Sequence, residues 1–335
     1  MSITILGIES SCDETAAAVC KDGKIINNII ATQSIHEQYG GVVPELASRA
    51  HQKNIVPVVS EALKSAQIDL KDIDAIAYTQ GPGLLGALLI GSAFAKSMAL
   101  ALNKPVIPVN HMKAHIMAHF IEDPHPKFPF LCLTISGGHT QIVKVEDHLR
   151  MTVVGQTIDD AVGEAFDKCA KILGIGYPGG PQIDKLAKEG DGDKFTFSKS
   201  VIPDLDFSFS GIKTSFLYFI RDQKKLNENF VEENIHDLAA SVQRTMIEML
   251  MDKLIKASKK YKIKQIAIAG GVSANTGLRN TIQELALRHD WETFVPQFEY
   301  CTDNAAMIAI TGYYKYLQGV FGDLRDSPLP RMPIV

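Results

Sequence analysis

The chain repeats one order of predicted secondary structure, and this repeat limits its fold more than any other feature. In both halves, three short strands precede an alternation of helices and strands. The first series has strands at 3–9, 15–20 and 24–31, a helix at 44–66, a strand at 75–79, a helix at 84–103 and a strand at 105–109. The second has strands at 130–136, 141–145 and 151–156, helices at 159–173 and 236–260, a strand at 265–269, a helix at 276–289, a strand at 293–297 and a helix at 304–317.

Strands that alternate with helices predict an α/β protein with a mostly parallel sheet, covered by helices on both faces. Because the series occurs twice, we expect a duplicated fold with a cleft between its halves. The first half spans residues 1–125 and is completed by a C-terminal helix at about 304–335, and the second spans 126–303. An irregular stretch at 174–213, rich in Gly, Pro, Asp and Ser, is predicted to be an insertion that could lie over the cleft.

Composition restricts the protein class. Of 335 residues, 46% are hydrophobic and 21% charged, as in ordinary globular proteins. The five cysteines have no CxxC spacing, which argues for a reducing compartment and against a disulfide framework or a cysteine-only zinc site. No basic and apolar signal segment is visible at the start. The apolar run 83–102 contains glycines, Ser92, Lys96 and Ser97, so we predict a buried helix there instead of a membrane span. Together these observations predict a cytoplasmic protein without a membrane partner.

The charge balance does not indicate nucleic-acid binding. The net charge is −4 and the isoelectric point is near 6.2. A group of lysines between 253 and 264 closes a long helix, where positive charge also complements the helix dipole. This segment alone therefore gives little support for nucleic-acid contact.

Three turns have the composition of phosphate or nucleotide cradles. They are the hydroxyl- and acid-rich turn at 9–15, the turn Ile135-Ser-Gly-Gly-His-Thr140 and the strand-to-helix turn at 268–276. Glycines let backbone N–H groups approach an anion, and a helix N-terminus adds a favourable dipole. None of the turns matches the P-loop or the Rossmann fingerprint.

Two acidic elements accompany these turns. Asp159 and Asp160 open the helix predicted at 159–173, and their carboxylates are candidates for its N-cap. The segment 177–184 reads as a rigid turn followed by Asp184. That carboxylate suits a ribose or an acyl amine, and a helix cap is about as good an interpretation.

His111 and His115 are the candidate metal ligands. They lie four residues apart where a strand passes into a helix, so both imidazoles can face one cation. Asp303 is the best third ligand, although an N-cap of the following helix explains it at least as well, and His139 competes with it. Two histidines and one carboxylate suit Fe²⁺ or Zn²⁺ and leave positions open for substrate. A metalloprotease is disfavoured, because Met112 stands where the HExxH motif needs its glutamate.

The motifs together resemble those of the universal tRNA threonylcarbamoyladenosine transferases of bacterial type, once labelled O-sialoglycoprotein endopeptidases. The motifs lie at 9–15, 110–115, 135–139, 179–180, 270–275 and 302–304, in the family's order and across essentially the whole chain. The resemblance implies a duplicated actin/hexokinase/Hsp70-like (ribonuclease H-like) fold. It implies transfer of threonylcarbamoyl from threonylcarbamoyl-AMP to N6 of adenosine 37 in tRNAs that read codons beginning with A.

The resemblance also implies roles for individual residues and partners. It implies one divalent cation per subunit on His111, His115 and Asp303, with Fe²⁺ favoured and Zn²⁺ as the alternative. It implies adenylate contacts from Ile135, Ser136, Gly137, Gly138, His139, Asp167, Gly180, Asp184 and Asn275. Asp13 and Glu14 are expected to act in catalysis. The implied partners are tRNA, an inactive paralogue that forms a heterodimer through the first half, and a small ATPase.

Two other functions fit parts of the pattern. An ATP-dependent small-molecule kinase on the same fold explains the glycine-rich turns but gives the two histidines no role. An ATP-binding scaffold without activity leaves His111, His115 and Asp303 unexplained.

Overall fold

The computed structural model describes residues 2–334, except for the side chain of residue 37. The strands are β1 (Thr4–Glu9), β2 (Glu14–Lys21), β3 (Lys24–Thr32), β4 (Ala75–Gly81), β5 (Val106–Asn110), β6 (Phe130–Ile135), β7 (Thr140–Val145), β8 (Met151–Gln156), β9 (Gln265–Ala269) and β10 (Glu292–Phe294). The α-helices are α1 (Pro44–Ala66), α2 (Leu85–Leu102), α3 (His111–Met117), α4 (Val162–Ile172), α5 (Gly179–Ala187), α6 (Ser210–Leu226), α7 (Phe230–Glu233), α8 (Ile235–Tyr261), α9 (Thr276–His289) and α10 (Ala305–Leu317).

The strands form two five-stranded sheets with the same internal order. The first runs β3-β2-β1-β4-β5 and the second β8-β7-β6-β9-β10. In each, the first strand of the series lies at the centre, antiparallel to its hairpin partner and parallel to the strand that follows the helical crossover. The predicted duplicated α/β architecture is confirmed. The expectation of a mostly parallel sheet is wrong, because short turns join the first three strands of each series and strands joined by a short turn pair antiparallel.

The chain divides into two compact units. Unit 1 comprises Met1–His125, Glu146–Met151 and Pro296–Val335, and unit 2 comprises Pro126–Val145 and Thr152–Val295. Each unit contains one of the two sheets. Helix α10 belongs to unit 1, although most of that unit comes from the first 125 residues of the chain.

In unit 1, α1 and α2 cover one face of the sheet and α10 covers the other. Leu6 and Ile8 of β1 pack with Val58 and Tyr78 on the α1 side. On the opposite face, Gly7 allows α10 to touch the strand, because a Cβ at Gly7 would lie 2.6 Å from the Ala309 backbone nitrogen. This close approach fixes the start of α10 beside the carboxyl end of β1.

In unit 2, helices α4, α5, α6 and α8 share a core with the central strand β6. Leu131 and Leu133 of β6 pack in one apolar cluster with Phe166 of α4 and Phe216 of α6. The prediction of an irregular stretch at 174–213 is right for residues 188–209, which carry no helix or strand, and wrong at α5 and at the start of α6, which extends well beyond the stretch. Helix α4 also begins three residues later than predicted, at Val162.

One described helix, α2, is long and apolar enough by length and composition to cross a membrane. It packs against α1 and β4 within unit 1 and buries small residues such as Ala95 and Ala99. Its other face leaves Leu85, Leu89 and Leu100 exposed. The prediction of a buried helix is therefore right for one face of α2 only.

Candidate active site

His111, His115 and Asp303 converge in unit 1. Their ligand atoms all lie within 4.8 Å of one another, and no other group of three His, Cys, Asp or Glu residues within 2–334 meets this description. Oδ1 of Asp303 lies 3.3 Å from Nε2 of His111 and 3.2 Å from Nε2 of His115. The two imidazoles meet edge to face, with their centroids 4.7 Å apart. Two nitrogen ligands and one oxygen ligand thus face a common point.

Two asparagine caps set these side chains in place. Asn110 ends β5 and begins α3, and its side chain accepts a hydrogen bond from the Lys113 N–H. Asn304 caps α10 in the same way by accepting from the Met307 N–H. The N-cap interpretation of Asp303 is therefore wrong, because Asn304 holds that position and leaves the Asp303 carboxylate to the histidines.

The electrostatics of the cluster favour positive charge between its carboxylates. Burial opposes charge on His111, yet Asp303 and Glu9 raise its pKa well above the ordinary value. Burial would raise the pKa of Asp303, but the neighbouring His111 and His115 hold it below its usual range. A divalent cation satisfies the same charge requirement, and the imidazole and carboxylate donors suit iron or zinc.

The turn after β1 is held by buried polar side chains. His51 of α1 is fully buried, with Nδ1 2.8 Å from Thr15 Oγ1 and Nε2 2.9 Å from the Cys12 carbonyl oxygen. Burial lowers the pKa of His51, although the bond to the Cys12 carbonyl acts in the opposite direction. The neutral ring thereby fixes both ends of the segment that carries Asp13 and Glu14.

Asp13 and Glu14 are half-buried in this turn and hydrogen-bonded to each other. Burial, with the nearby Asp303 and Asp13 carboxylates, raises the pKa of Glu14 to about 10. Glu14 therefore keeps its proton at neutral pH in the absence of added positive charge.

The turn after β6 is built differently. Ser136 and His139 close it through two hydrogen bonds, from the Ser136 N–H to the His139 carbonyl and from the His139 N–H to Ser136 Oγ. Gly137 and Gly138 at its tip are exposed, and a Cβ at either would meet nothing within 4 Å. Ile135, just before the turn, is fully buried in β6. The tip thus presents accessible backbone.

The remaining predicted substrate contacts are also in unit 2, where each has a protein partner. Asp167 of α4 accepts from the N–H groups of Gly179 and Gly180 at the start of α5. Asp184 lies within α5, not after a turn, and its carboxylate accepts from the N–H and hydroxyl of Thr276. Asn275 caps α9 through the Leu278 N–H.

Asp159 and Asp160 are not the cap of α4, since that helix begins at Val162 after Ala161. The Asp159 carboxylate instead accepts from the Ser208 hydroxyl, the Phe209 N–H and the Ser210 hydroxyl, next to the start of α6. It anchors the segment that leads into a helix absent from the prediction.

Sequence reasoning missed Glu9 and His51 as parts of the site. A signal existed for Glu9, because a carboxylate at the end of an otherwise apolar strand is unusual in a buried position. No local pattern marks His51, which lies on an ordinary amphipathic helix. Only the packing of α1 against the first turn gives it a role.

Known proteins match the chain along its length. The model of the tRNA N6-adenosine threonylcarbamoyltransferase family matches residues 24–310. Proteins of that name from Christiangramia forsetii and Porphyromonas gingivalis are 61% and 57% identical to the chain. The first alignment covers 96% of this chain and 95% of the relative, and the second covers 99% of each. These matches do not favour the kinase or scaffold alternatives.

Solved structures confirm the predicted fold class. The nucleotide-bound form of HypF superimposes with a TM-score of 0.63 at 13% identity, over 93% of this chain and 46% of HypF. Component A of the Acidaminococcus fermentans (R)-2-hydroxyglutaryl-CoA dehydratase gives 0.53 at 18% identity, over 94% of this chain and 99% of that one. Both belong to the actin/hexokinase-like group of folds. The curated relatives go further: the chain belongs to the family of tRNA N6-adenosine threonylcarbamoyltransferases, enzymes that place a threonylcarbamoyl group on N6 of adenosine in tRNA.

Proposed function

We propose that one divalent cation per subunit, Fe²⁺ in preference to Zn²⁺, is held by His111, His115 and Asp303. The convergence of three ligand atoms within 4.8 Å carries this proposal. Two imidazoles and one carboxylate leave coordination positions open for a substrate oxygen. A cation held by these residues would supply Lewis acidity to the acyl group of the donor.

The donor in this proposal is threonylcarbamoyl-AMP. Its adenylate would contact the turn Ile135 to His139, together with Asp167, Gly180, Asp184 and Asn275. Exposed backbone at Gly137 and Gly138 supports this assignment, because N–H groups at a glycine-rich tip can approach phosphate oxygens closely. Donation to the phosphate would make AMP a better leaving group.

The proposed chemical step is acyl transfer. Adenosine N6 forms a bond to the carbamoyl carbon, the bond from that carbon to the phosphate oxygen breaks, and AMP leaves. Asp13 accepts the proton from N6. Glu14 lies beside Asp13 and is hydrogen-bonded to it. The Cys12–Thr15 turn, fixed by His51, holds both acids in place.

The proposed acceptor is adenosine 37 of tRNAs that read codons beginning with A. The net charge of −4 supports a requirement for partner subunits that grip the tRNA. We include a small ATPase and an inactive paralogue among these partners.

The paralogue would form a heterodimer with unit 1. Helices α1 and α2 pack together and carry the exposed apolar side chains Val56, Leu85 and Leu89. Exposed apolar side chains on neighbouring helices are typical of protein interfaces. Replacing Leu89 with Glu is expected to abolish heterodimer formation in gel filtration, whereas replacing exposed Lys53 of α1 with Glu tests whether added negative charge alone has this effect.

The proposed location is the cytoplasm. Cys12, Cys20, Cys132, Cys169 and Cys301 are all free thiols, which supports a reducing compartment. Cell fractionation of a tagged protein tests this assignment.

One assay tests the proposed reaction. Purified protein receives threonylcarbamoyl-AMP and unmodified tRNA, with and without the partners and with and without chelator. Modified tRNA and AMP should form in equal amounts, and chelator should stop both. A tRNA with guanosine at position 37 is the matched control and should stay unmodified. Equal product with and without a strong chelator, in protein shown to contain no metal, would contradict the metal proposal.

A further inference from the structure

Glu9 is a buried carboxylate at the centre of a sheet. It ends β1, whose six residues are all buried, and its own exposed fraction is 0%. β1 lies between β2 and β4, so protein surrounds the strand on both edges. A carboxylate in such a place costs several kcal/mol unless hydrogen-bond donors surround it.

The donors around Glu9 come from three separate segments. Oε1 accepts from the Ser11 N–H at 2.5 Å, and Oε2 accepts from the Thr79 hydroxyl at 2.7 Å. Oε2 also lies 3.0 Å from Nδ1 of His111. The same carboxylate therefore links the first turn, β4 and α3.

The two candidate metal histidines differ on the side that faces away from Asp303. Nδ1 of His111 faces Glu9, with Ser11 Oγ 3.2 Å away. Nδ1 of His115 is buried and has no hydrogen-bond partner within residues 2–334. Within the described residues, only His111 of the two therefore has a carboxylate at Nδ1 that can fix its ring orientation and the position of its proton.

We propose that Glu9 is the positioning residue of the metal site, and that it holds His111 with the proton on Nδ1 so that the Nε2 lone pair faces Asp303. A ligand histidine whose other nitrogen donates to a carboxylate is oriented and made a stronger base. Nε2 of His111 lies 3.3 Å from Oδ1 of Asp303, so a cation bound by both atoms would take the place of the proton that otherwise joins them. The inference rests on the metal site proposed above.

The test compares metal affinity in three variants of the full chain, with Zn²⁺ as the probe and a chromophoric chelator as the competitor. Glu9→Gln keeps the shape of the side chain and removes its charge, and its affinity should fall about 10- to 100-fold. Thr79→Val removes another donor from the same carboxylate oxygen and leaves the pair with His111, so its affinity should stay within about threefold. Affinity lost equally in both variants would overturn the positioning role.

His115→Ala separates failure of this inference from failure of the metal site. If this variant binds Zn²⁺ as well as the wild type does, the metal site is elsewhere and both proposals fall. If His115→Ala loses the metal but Glu9→Gln keeps wild-type affinity, only the role of Glu9 is overturned.

A measurement on the unaltered protein covers the case in which Glu9→Gln does not fold. Nitrogen-15 NMR of the zinc-bound wild type, with His111→Gln to assign the ring, identifies which nitrogen carries the proton. The proton should be found on Nδ1 of His111. A proton on Nε2 would overturn the proposal.

Discussion

The turn after β1 and the turn after β6 occupy the same position in two sheets of the same strand order, yet different groups hold their backbones in place. In the first turn, buried side chains such as Glu9 and His51 hold the backbone. In the second, Ser136 and His139 close a tip of two exposed glycines. The fold repeats a position for a site, and the side chains decide which chemistry each position supports.

This difference has a physical basis. A cation needs lone pairs from side chains held at fixed distances, so its turn must be supported by further side chains behind it. A phosphate can be bound by backbone N–H groups, which every residue except proline provides and which glycine exposes best. We therefore expect changes near the first turn to affect metal binding, and changes near the second to affect nucleotide binding.

Loss of Asp303 should have the largest effect. Asp303→Ala removes the ligand nearest to both His111 and His115. Activity should fall by about a thousandfold or more, since the cation contributes several kcal/mol to the transition state. Metal analysis and tRNA modification rates measure this, with exposed neighbour Thr302→Ala as the control. Adenylate affinity should change little. An equal loss of adenylate affinity would contradict the assignment of metal binding to the first turn and of nucleotide binding to the second.

Loss of Asp184 should lower the stability of the protein, because in unit 2 too a buried side chain joins two segments by hydrogen bonds. Asp184 is 8% exposed, and its carboxylate accepts hydrogen bonds from the N–H and the hydroxyl of Thr276. Asp184→Ala should lower the free energy of unfolding by about 1–3 kcal/mol, as expected when buried donors lose their acceptor. Urea unfolding of the single variants and of a double variant with Thr276→Val measures this coupling. Additive effects would show that the pair does not interact.

Adding a methyl group at the second turn should reduce nucleotide affinity without destabilising the protein. A Cβ at Gly138 meets no atom within 4 Å, so Gly138→Ala should leave thermal stability unchanged. It should weaken adenylate binding about tenfold if the phosphate lies against the tip. Gly163→Ala is the contrasting variant, because its Cβ would lie 2.6 Å from the Ser136 carbonyl oxygen and should destabilise the fold. Unchanged adenylate affinity in Gly138→Ala would show that the phosphate does not lie against this turn.

The smallest expected effect concerns pH. Burial lowers the pKa of His51 in the folded chain, so the unfolded chain takes up a proton first as the pH falls. Folded stability should therefore decrease as the pH falls through the ordinary histidine range, by at most about 1.4 kcal/mol per pH unit. His51→Gln should flatten this part of the curve from urea unfolding between pH 8 and pH 5. An unchanged slope would show that His51 does not contribute.

Local patterns predicted much of the fold. Helices α1 and α9 have the predicted bounds, because apolar residues at helical spacing and turn residues at each end mark them clearly. Helix α6 was missed although Ile212, Phe216 and Ile220 recur every four residues and are buried. Its neighbours rich in Ser, Pro and Asp concealed a pattern that was present.

The site was predictable as a set of residues, and its geometry was not. The spacing of His111 and His115 indicated one helical face, and the motifs together indicated the family. The interpretation of Asp303 stayed open, because a carboxylate before a helix fits an N-cap as well as a ligand. Asn304 resolves this only once its bond to the Met307 N–H is known.

The sequence by itself determined the order of the helices and strands, the repeat, and which side chains could take part in binding or catalysis. These properties depend on residue type and on periodicities of two and 3.6 residues within short segments. Tertiary structure alone decided which of those residues meet. Asp303 reaches His115 across 188 positions of the chain, and His111 reaches Glu9 across 102. Such contacts depend on how α10 packs on β1 at Gly7 and on how β1 lies beside β4, and no local pattern records either.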